Sequence, residues 1–142
     1  MKVKDLMTDQ VIRIRPEESV CVAARTLTHY NIGVLPVCDE AGNLCGILTD
    51  RDIVTRCLAG ERKPETTAVA DIMTAKVHAV SPDMEAGVAA NLMGRQQVRR
   101  LPVVENGSLC GMLSLGDLSN NLDCAYDASD ALSEITSNIS HR

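Results

Sequence analysis

Gly46-Ile47-Leu48-Thr49-Asp50-Arg51-Asp52 is a stretch that the chain repeats in altered form as Gly111-Met112-Leu113-Ser114-Leu115-Gly116-Asp117. Each copy has a glycine, two aliphatic residues, a hydroxyl residue and, three positions further on, an aspartate. The aliphatic residues predict a buried strand, and the aspartate falls in the first turn of a following helix. A hydroxyl group at a strand end and a carboxylate at a helix start can contact one small polar ligand. The same pair is also an ordinary helix cap, which is the purely structural alternative.

The two stretches belong to a longer internal repeat. Asp5-Leu6-Met7-Thr8 aligns with Asp71-Ile72-Met73-Thr74, and Leu35-Pro36-Val37 aligns with Leu101-Pro102-Val103. An internal period sets the architecture before any local feature does, and two copies predict a pseudo-symmetric pair. The predicted organisation is repeat 1 at residues 1–60, a linker at 61–69, repeat 2 at 70–122 and a C-terminal tail at 123–142.

This order of motifs resembles the cystathionine-β-synthase (CBS) domain pair over about residues 3–122. The shared pattern is Asp-x-Met-Thr, a strand, a proline, a helix, Leu-Pro-Val, a hairpin and the glycine-to-aspartate stretch quoted above. The resemblance implies an α/β fold in which two β-α-β-β-α repeats pack as one module, with clefts for adenosine nucleotides between the repeats. It also implies a regulatory module that forms a homodimer and signals to another protein.

The resemblance further implies which residues contact the nucleotide. Each cleft takes its hydroxyl and aspartate from one repeat and its strand-entry residues from the other. The first predicted ligand group consists of Thr49, Asp52, Val77, His78, Val98, Arg99 and Arg100. The second consists of Ser114, Asp117, Val11, Ile12, Ile32, Gly33 and Val34.

The chemistry of these residue types suits a nucleotide. A carboxylate can accept both hydroxyl groups of a ribose, and arginine is a permanently charged, fork-shaped donor for phosphate. We expect the first group to bind the phosphate, since the second has Gly33 and Val34 where the first has arginines. Because side chains alternate along a strand, we expect only one arginine, Arg99, to face the ligand. The alternatives are a solvated arginine pair and a surface or packed His78.

Composition excludes several classes of function. With 142 residues, 45% hydrophobic and 23% charged, the chain is typical of a soluble globular protein. No apolar run approaches the roughly 18 residues of a membrane span, and no signal-peptide core is visible, so we expect a cytoplasmic protein without a membrane partner. The net charge of −5 gives no basic surface for nucleic acid. Phe and Trp are absent, so an adenine must be held by aliphatic side chains and backbone.

Cysteine and histidine spacing argues against metal binding and catalysis. The six cysteines are scattered without a Cys-x-x-Cys pair, and His29, His78 and His141 form no ligand-spaced set. No phosphate-binding glycine loop and no nucleophile with a neighbouring base occurs, so we expect no metal, no cofactor and no enzyme activity. Three alternatives to a nucleotide sensor remain. They are a nucleotide-free oligomerisation scaffold, a thiol redox sensor that uses Cys38 and Cys45, and a cryptic hydrolase.

Periodicity predicts the main elements. We expect helices at residues 19–30 and 50–58, strands at 34–38 and 44–49, and in repeat 2 a helix with Ala86, Ala89, Ala90 and Met93 on one face. Residues 127–139 have apolar positions at helical spacing. This tail helix either packs on its own module or a partner's, or it is solvated, and we expect it to be dispensable for the two-repeat fold.

Overall fold

The computed structural model describes residues 1–121 and 125–140, with side chains as far as residue 137. The predicted boundary between repeat 2 and the tail, together with Cys124 and His141, lies outside the described residues. The helices and strands follow the order α1 Val3–Leu6, α2 Val20–Tyr30, β1 Val34–Cys38, β2 Leu44–Thr49, α3 Asp50–Asp52, a π-helical segment Ile53–Leu58, α4 Val69–Ile72, α5 Ala86–Gln96, β3 Arg100–Glu105, β4 Ser108–Ser114, α6 Leu115–Ser119 and α7 Ala125–Ser140. The fold is therefore mixed α/β, with two similar repeats and a C-terminal helix, as predicted.

Each repeat contains one antiparallel hairpin. β1 pairs with β2 so that Val34 lies opposite Thr49, and β3 pairs with β4 so that Arg100 lies opposite Ser114. The second hairpin turns through Asn106 and Gly107, whose φ angles of 53° and 83° suit a two-residue turn between twisted strands. This register brings the hydroxyl residue that ends each hairpin next to the residue that begins it.

The first strand that the resemblance implies is reduced to a single parallel bridge in each repeat. Ile14 pairs with Val37, and Val80 pairs with Val103. Pro16 and Pro82 follow within two residues of these bridges, and a proline cannot extend the ladder by donating a hydrogen bond. The extended segments therefore lead directly into the helices.

The predicted helix at residues 19–30 is confirmed. Ser19 is its N-cap, and the Ser19 hydroxyl oxygen accepts a hydrogen bond of 3.2 Å from the Val22 N–H. Val20, Ala23 and Leu27 are buried on one face. The helix ends at Asn31, which adopts a left-handed conformation with φ 53°.

The predicted helix at residues 50–58 is present in a different form. Only Asp50–Asp52 is α-helical, and Ile53–Leu58 continues as a π-helical segment, in which the Ala59 N–H donates to the Val54 carbonyl oxygen at 2.9 Å. A π-helical turn is wider than an α-helical one and is often found at functional sites. Hydrophobic periodicity does not distinguish the two.

The described residues form two compact units that do not coincide with the two sequence repeats. The continuous unit consists of residues 12–77, and the split unit consists of residues 1–11 and 78–142. The residues that begin each repeat thus lie in the unit formed by the rest of the other repeat. The predicted linker at 61–69 lies within the continuous unit, where the Val20 N–H donates to the Thr67 carbonyl oxygen at 2.9 Å.

In each unit, the Met-Thr motif of one repeat contacts the glycine motif of the other, and this contact holds the exchanged segment in place. In the continuous unit the backbone of Ile47 forms two hydrogen bonds of 2.9 Å with Thr74, and in the split unit Met112 forms the same pair with Thr8. A Cβ atom at Gly46 would lie 2.7 Å from the Thr74 carbonyl oxygen, and one at Gly111 would lie 2.7 Å from that of Thr8. Glycine is required at both positions because another backbone passes in contact.

Each unit has its own apolar core. Leu35, Leu48 and Ile72 are buried in the continuous unit, and Leu101 and Leu113 are buried in the split unit. The predicted apolar face of the repeat 2 helix is confirmed, since all four of its members are buried: Ala86, Ala89, Ala90 and Met93.

The tail helix α7 packs on its own split unit. Ala128, Ala131 and Ile135 are each no more than 3% exposed, and the helix contacts α5 and α6. The alternative of a solvated tail is wrong. Because two of these residues belong to the core of the split unit, the tail is part of that core and its removal is expected to destabilise the unit.

Candidate functional site

The first candidate pair, Thr49 and Asp52, forms a reciprocal helix cap in the continuous unit. The Asp52 N–H donates to the Thr49 hydroxyl oxygen at 3.1 Å, and the Thr49 N–H donates to Oδ2 of Asp52 at 3.0 Å. This arrangement is a capping box, which satisfies two backbone donors that the helix start leaves unpaired. The structural alternative for this pair is therefore realised, and Oδ1 of Asp52 and the Thr49 hydroxyl proton are the groups left for a ligand.

Ser114 and Asp117 form the same cap in the split unit. The Asp117 N–H donates to the Ser114 hydroxyl oxygen at 3.0 Å, and the Ser114 N–H donates to Oδ2 of Asp117 at 2.9 Å. Both caps begin where a strand passes directly into a helix, so the extended hydroxyl residue ends the strand and caps the helix at once. The two repeats thus hold their aspartate carboxylates in equivalent positions in the first turn of a helix.

The two aspartates differ in their electrostatic surroundings. Oδ1 of Asp52 lies 3.8 Å from Nε of Arg56, and the Asp52 side chain is only 13% exposed. Arg56 also donates from Nη1 to the Ile72 carbonyl oxygen at 3.0 Å. The counterpart of Arg56 in repeat 2 is the uncharged Asn121. The charge of Asp52 is therefore partly balanced by a guanidinium group, and Asp117 has no such group at the equivalent position.

The backbone carbonyl groups just before β1 and β3 accept hydrogen bonds from the first residue of the helix that follows each hairpin. The Asp50 N–H donates to the Gly33 carbonyl oxygen at 3.0 Å, and the Leu115 N–H donates to the Arg99 carbonyl oxygen at 2.8 Å. Gly33 and Arg99 thus occupy equivalent places. A Cβ atom at Gly33 would lie 3.3 Å from the Asp50 carboxylate, which favours glycine there. A side chain and a positive charge are present at this place only in repeat 2.

A cleft of about 550 Å³ in the split unit brings Arg99 and Arg100 together with Ser114. Both arginines are exposed and both line the cleft. Which of the two arginines faces a ligand stays a prediction. Two arginine residues and Ser114 therefore line a space large enough for a small anionic ligand.

The remaining predicted residues are divided between the two units. Ile12 and Ile32 pack against the core of the continuous unit, and Val98 packs against the core of the split unit. His78 is exposed. The continuous unit contains Thr49, Asp52, Ile12, Ile32, Gly33, Val34 and Val77, and the split unit contains Ser114, Asp117, Val11, His78, Val98, Arg99 and Arg100. Each predicted ligand group draws on both sets, and that grouping stays a prediction.

Sequence reasoning did not include the residues of α7 that line the arginine cleft. Ala125, Ser129 and Leu132 form one wall of it. A signal for this contact was present in α5, where Gly87 and Gly94 are seven residues apart on the side that α7 covers. Glycines at that spacing on an otherwise regular helix indicate a second helix in close contact.

The described cysteines are all free thiols, namely Cys21, Cys38, Cys45, Cys57 and Cys110. Burial raises the pKa of the Cys38 thiol above its ordinary value, although nearby Arg13 acts in the opposite direction. A raised pKa lowers the fraction of reactive thiolate at neutral pH. This electrostatic environment disfavours Cys38 as the reactive thiol of a redox sensor.

Among residues 1–121 and 125–140, no three or more His, Cys, Asp or Glu side chains are grouped as a metal site requires. Within the same residues, no helix has both the length and the apolar character that crossing a membrane needs.

Solved structures of similar proteins include both liganded and metal-bound examples. Hypoxic Response Protein I with two coordinated zinc ions has a TM-score of 0.79 and 30% identity, over 86% of this chain and 99% of that one. The CBS domain pair of MJ0100 in complex with 5′-methylthioadenosine and S-adenosyl-L-methionine has a TM-score of 0.74 and 30% identity, over 84% and 94%. CBSX2 in complex with AMP has a TM-score of 0.73 and 30% identity, over 82% and 91%.

Sequence comparison assigns the family. The chain is 39% identical over 140 residues to the CBS domain-containing protein YhcV of Bacillus subtilis (strain 168), covering 99% of this chain and 96% of that protein. A family model for the CBS domain matches residues 3–59 and again residues 69–123. Proteins of this kind are generally regulatory or binding modules. The chain is therefore a member of the CBS domain family, with two CBS repeats and a C-terminal helix.

Proposed function

We propose that the protein is a non-catalytic regulatory module that binds an adenosine-containing nucleotide and passes its occupancy to another protein chain. The observation that carries the proposal is the arginine cleft of the split unit, in which Arg99 and Arg100 accompany Ser114. Similar CBS pairs are described in complex with AMP, 5′-methylthioadenosine and S-adenosyl-L-methionine, which share an adenosine group. A cytoplasmic location and a homodimer belong to the same proposal.

Each type of residue contacts a different part of the ligand. Asp52 and Asp117 supply carboxylate oxygens for ribose hydroxyl groups, and Thr49 and Ser114 supply hydroxyl donors. Arg99 and Arg100 supply charge for phosphate, for which guanidinium geometry is well suited. Aliphatic residues such as Ile12, Ile32 and Val98 supply apolar surface for adenine. The predicted ligand group that contains Asp52, Arg99 and Val98 combines all three kinds of contact, so we propose it as the tighter site, although the cleft itself places the arginines beside Ser114 of the other group.

Occupancy can be transmitted through the cap that contains Asp52. A ribose that binds Oδ1 of Asp52 competes with Arg56, whose Nε lies 3.8 Å from that oxygen. Arg56 also binds the carbonyl of Ile72 and belongs to the π-helical segment, so a change at Asp52 alters restraints on both. A ligand acts as a signal only through such a difference between the bound and free states.

Mass spectrometry of ligand released from freshly purified protein tests the proposal directly. An adenosine-containing compound at a substantial molar ratio supports it. If none is found, calorimetry with AMP, ATP, adenosine and S-adenosylmethionine decides the question. Absence of binding to all four contradicts the proposal and favours the second candidate.

The second candidate is a nucleotide-free scaffold. It is favoured by the two capping boxes, since Asp52 and Asp117 each have a structural role without any ligand. The scaffold assigns no role to Arg99 and Arg100, which are exposed side by side in the cleft. Their effect on anion binding therefore separates the two candidates.

A further inference from the structure

The arginine cleft of the split unit has walls of two chemical kinds. The repeat contributes positively charged and hydroxyl-bearing residues, among them Arg99, Arg100 and Ser114. The tail helix contributes four further lining residues, of which three are apolar and one carries a hydroxyl group: Ala125, Ala128, Leu132 and Ser129. A cationic surface of the repeat and an apolar surface of α7 therefore share one space of about 550 Å³.

The α7 residues that line the cleft are not the ones that anchor the helix. Ala128, Ala131 and Ile135 are each no more than 3% exposed and form the buried face of α7. Leu132 lies outside this face and is 41% exposed. An isolated exposed leucine is common on protein surfaces, but this one lines the cleft together with the exposed Ser129. At a spacing of three residues the two side chains are neighbours on the helix surface, and they are available to a ligand.

The position of this wall is fixed by close contacts between α7 and α5. A Cβ atom at Gly94 would lie 3.3 Å from Cα of Ala131, and a Cβ atom at Gly87 would lie 3.1 Å from a carboxylate oxygen of Asp127. Ser129 lies between these two contacts in the sequence, so the turn that carries it is held on both sides. The wall is therefore in place before a ligand binds, which lowers the entropic cost of binding.

Three features that distinguish repeat 2 from repeat 1 meet at the cleft. Arginines stand at the two positions where repeat 1 has Gly33 and Val34, and Gly116 stands where repeat 1 has Arg51. A Cβ atom at Gly116 would lie 3.6 Å from the Ser114 hydroxyl oxygen, so the glycine leaves room there. The third feature is α7, which follows repeat 2, whereas repeat 1 is followed by the linker. Together they add positive charge, open space and an apolar wall, the combination that suits an anion with an apolar group attached.

We propose that α7 is part of the ligand site: Leu132 and Ser129 contact the ligand of the arginine cleft and restrict it to an anion joined to an apolar or aromatic group. The anionic group binds at the arginine residues, and the apolar group packs against Leu132, where its removal from water favours binding. Ser129 offers a hydroxyl group as donor or acceptor. This inference rests on the proposed function, since a nucleoside phosphate is such an anion, and it assigns ligand contacts to a helix outside the two repeats.

Calorimetry with AMP and ribose 5-phosphate tests the apolar contact, because the two compounds share the sugar phosphate and only AMP carries a base. Leu132→Ala should weaken AMP about tenfold and leave ribose 5-phosphate unchanged. Where ribose 5-phosphate releases too little heat, its competition with AMP gives its dissociation constant. Tyr126→Ala is the control, because Tyr126 is 78% exposed on the same helix and does not line the cleft. Equal losses for the two compounds at Leu132 would overturn the inference.

A second pair of variants tests the wall by filling the cleft. Ser129→Phe places an aromatic ring in the cleft and should weaken AMP more than about tenfold, while the melting temperature stays near that of the parent protein because Ser129 is exposed. Ser137→Phe is the matched control, since Ser137 is an exposed serine about two turns further along α7. Its affinity for AMP should not change. Circular dichroism melting verifies that both variants are folded, and an unchanged affinity in Ser129→Phe contradicts the inference.

The dye 8-anilinonaphthalene-1-sulfonate separates this inference from the proposed function, because it carries a sulfonate and aromatic rings but no adenosine. If AMP binds the parent protein and binds Ser129→Phe and Leu132→Ala equally well, the proposed function stands and the inference fails. If no adenosine compound binds, dye fluorescence decides. Loss of dye binding in Ser129→Phe and in Arg99→Ala then upholds the site although the proposed nucleotide fails. Dye binding that is absent from the parent protein, or that survives both substitutions, overturns the site as well.

Discussion

Oδ1 of Asp52 lies 3.8 Å from Nε of Arg56, while Oδ2 of the same carboxylate accepts the Thr49 N–H. One carboxylate thus joins a helix cap to an arginine that also binds the Ile72 carbonyl. Removal of this carboxylate should lower the stability of the fold and, under the proposed function, should also weaken ligand binding. The two can be measured independently.

Asp52→Ala should weaken adenosine and AMP alike, because a ribose is common to both. A hydrogen bond to a charged group contributes about 1.5–3 kcal/mol, so each affinity should fall about ten- to a hundredfold. Loss of the cap should also lower the free energy of unfolding by about 1 kcal/mol. Calorimetry and urea unfolding measure the two effects. Asp117→Ala is the control, with a similar loss of stability and a smaller effect on the tighter site.

Arg99→Ala should spare adenosine and weaken AMP about ten- to a hundredfold, because only AMP offers a phosphate to the guanidinium group. Calorimetry with both ligands measures the difference. Arg95→Ala, an exposed arginine in the last turn of α5, should change neither affinity. Equal losses for adenosine and AMP at Arg99 would assign it a structural role.

Gly46→Ala and Gly111→Ala should each destabilise the fold by about 1–3 kcal/mol, since the new methyl group overlaps a carbonyl oxygen of the exchanged segment. Gly116→Ala is the matched control, because its Cβ atom would meet nothing closer than 3.6 Å and α6 is helical there. The control should be neutral or stabilising by up to about 1 kcal/mol. Chemical unfolding of the three variants decides whether the close backbone contacts are needed.

Ile135→Ala should destabilise the split unit by about 2–4 kcal/mol, because Ile135 lies on the buried side of α7 and is only 3% exposed. Tyr126→Ala on the same helix should have an effect near zero, since Tyr126 is 78% exposed. Thermal or urea unfolding measures both. Similar small effects at the two positions would show that α7 does not contribute to the core.

Cys38 should react slowly with iodoacetamide at pH 7 in the folded protein, and its rate should rise with pH through an apparent pKa above the ordinary value. Burial raises this pKa, so the folded state holds the thiol proton more tightly than the unfolded state. The corresponding stability is fully present below the unfolded pKa of about 8.5 and is lost as pH rises through the folded pKa. Mass spectrometry of labelled peptides measures the rate, and urea unfolding gives the control. A fast reaction of Cys38 at neutral pH would support the redox alternative.

The local part of the fold could be predicted from the sequence. The strands Val34–Cys38 and Leu44–Thr49 have the predicted bounds, and Ser19 starts α2 as expected. These elements follow from short-range patterns, namely apolar runs around a turn and a hydroxyl residue before an apolar helical face. The π-helical segment after Asp52 was missed because the apolar spacing of residues 50–58 fits an α-helix equally well.

The non-local part could not be predicted in the same way. The repeated glycines Gly46 and Gly111 were visible in the sequence. The reason that glycine is needed there is a close contact with the backbone of Thr74 and of Thr8, which are far away in the sequence. A periodic alignment of the repeats makes each look complete in itself, so the exchange between the units was not evident. Similarly, the arginine cleft includes residues of α7 that follow the end of the repeat and have no counterpart in repeat 1.

The exchange of segments between the two units affects the order in which the units can fold during translation. The continuous unit has all its residues once position 77 has emerged, whereas residues 1–11 can fold only after the chain beyond residue 78 has been made. The buried Val3 is thus synthesised before the whole continuous unit but can reach its core only after the residues beyond position 78. During translation, residues 1–11 therefore stay unfolded while the continuous unit can already fold. Slow elongation through residues 78–121 would lengthen the time for which residues 1–11 are exposed to proteases and chaperones.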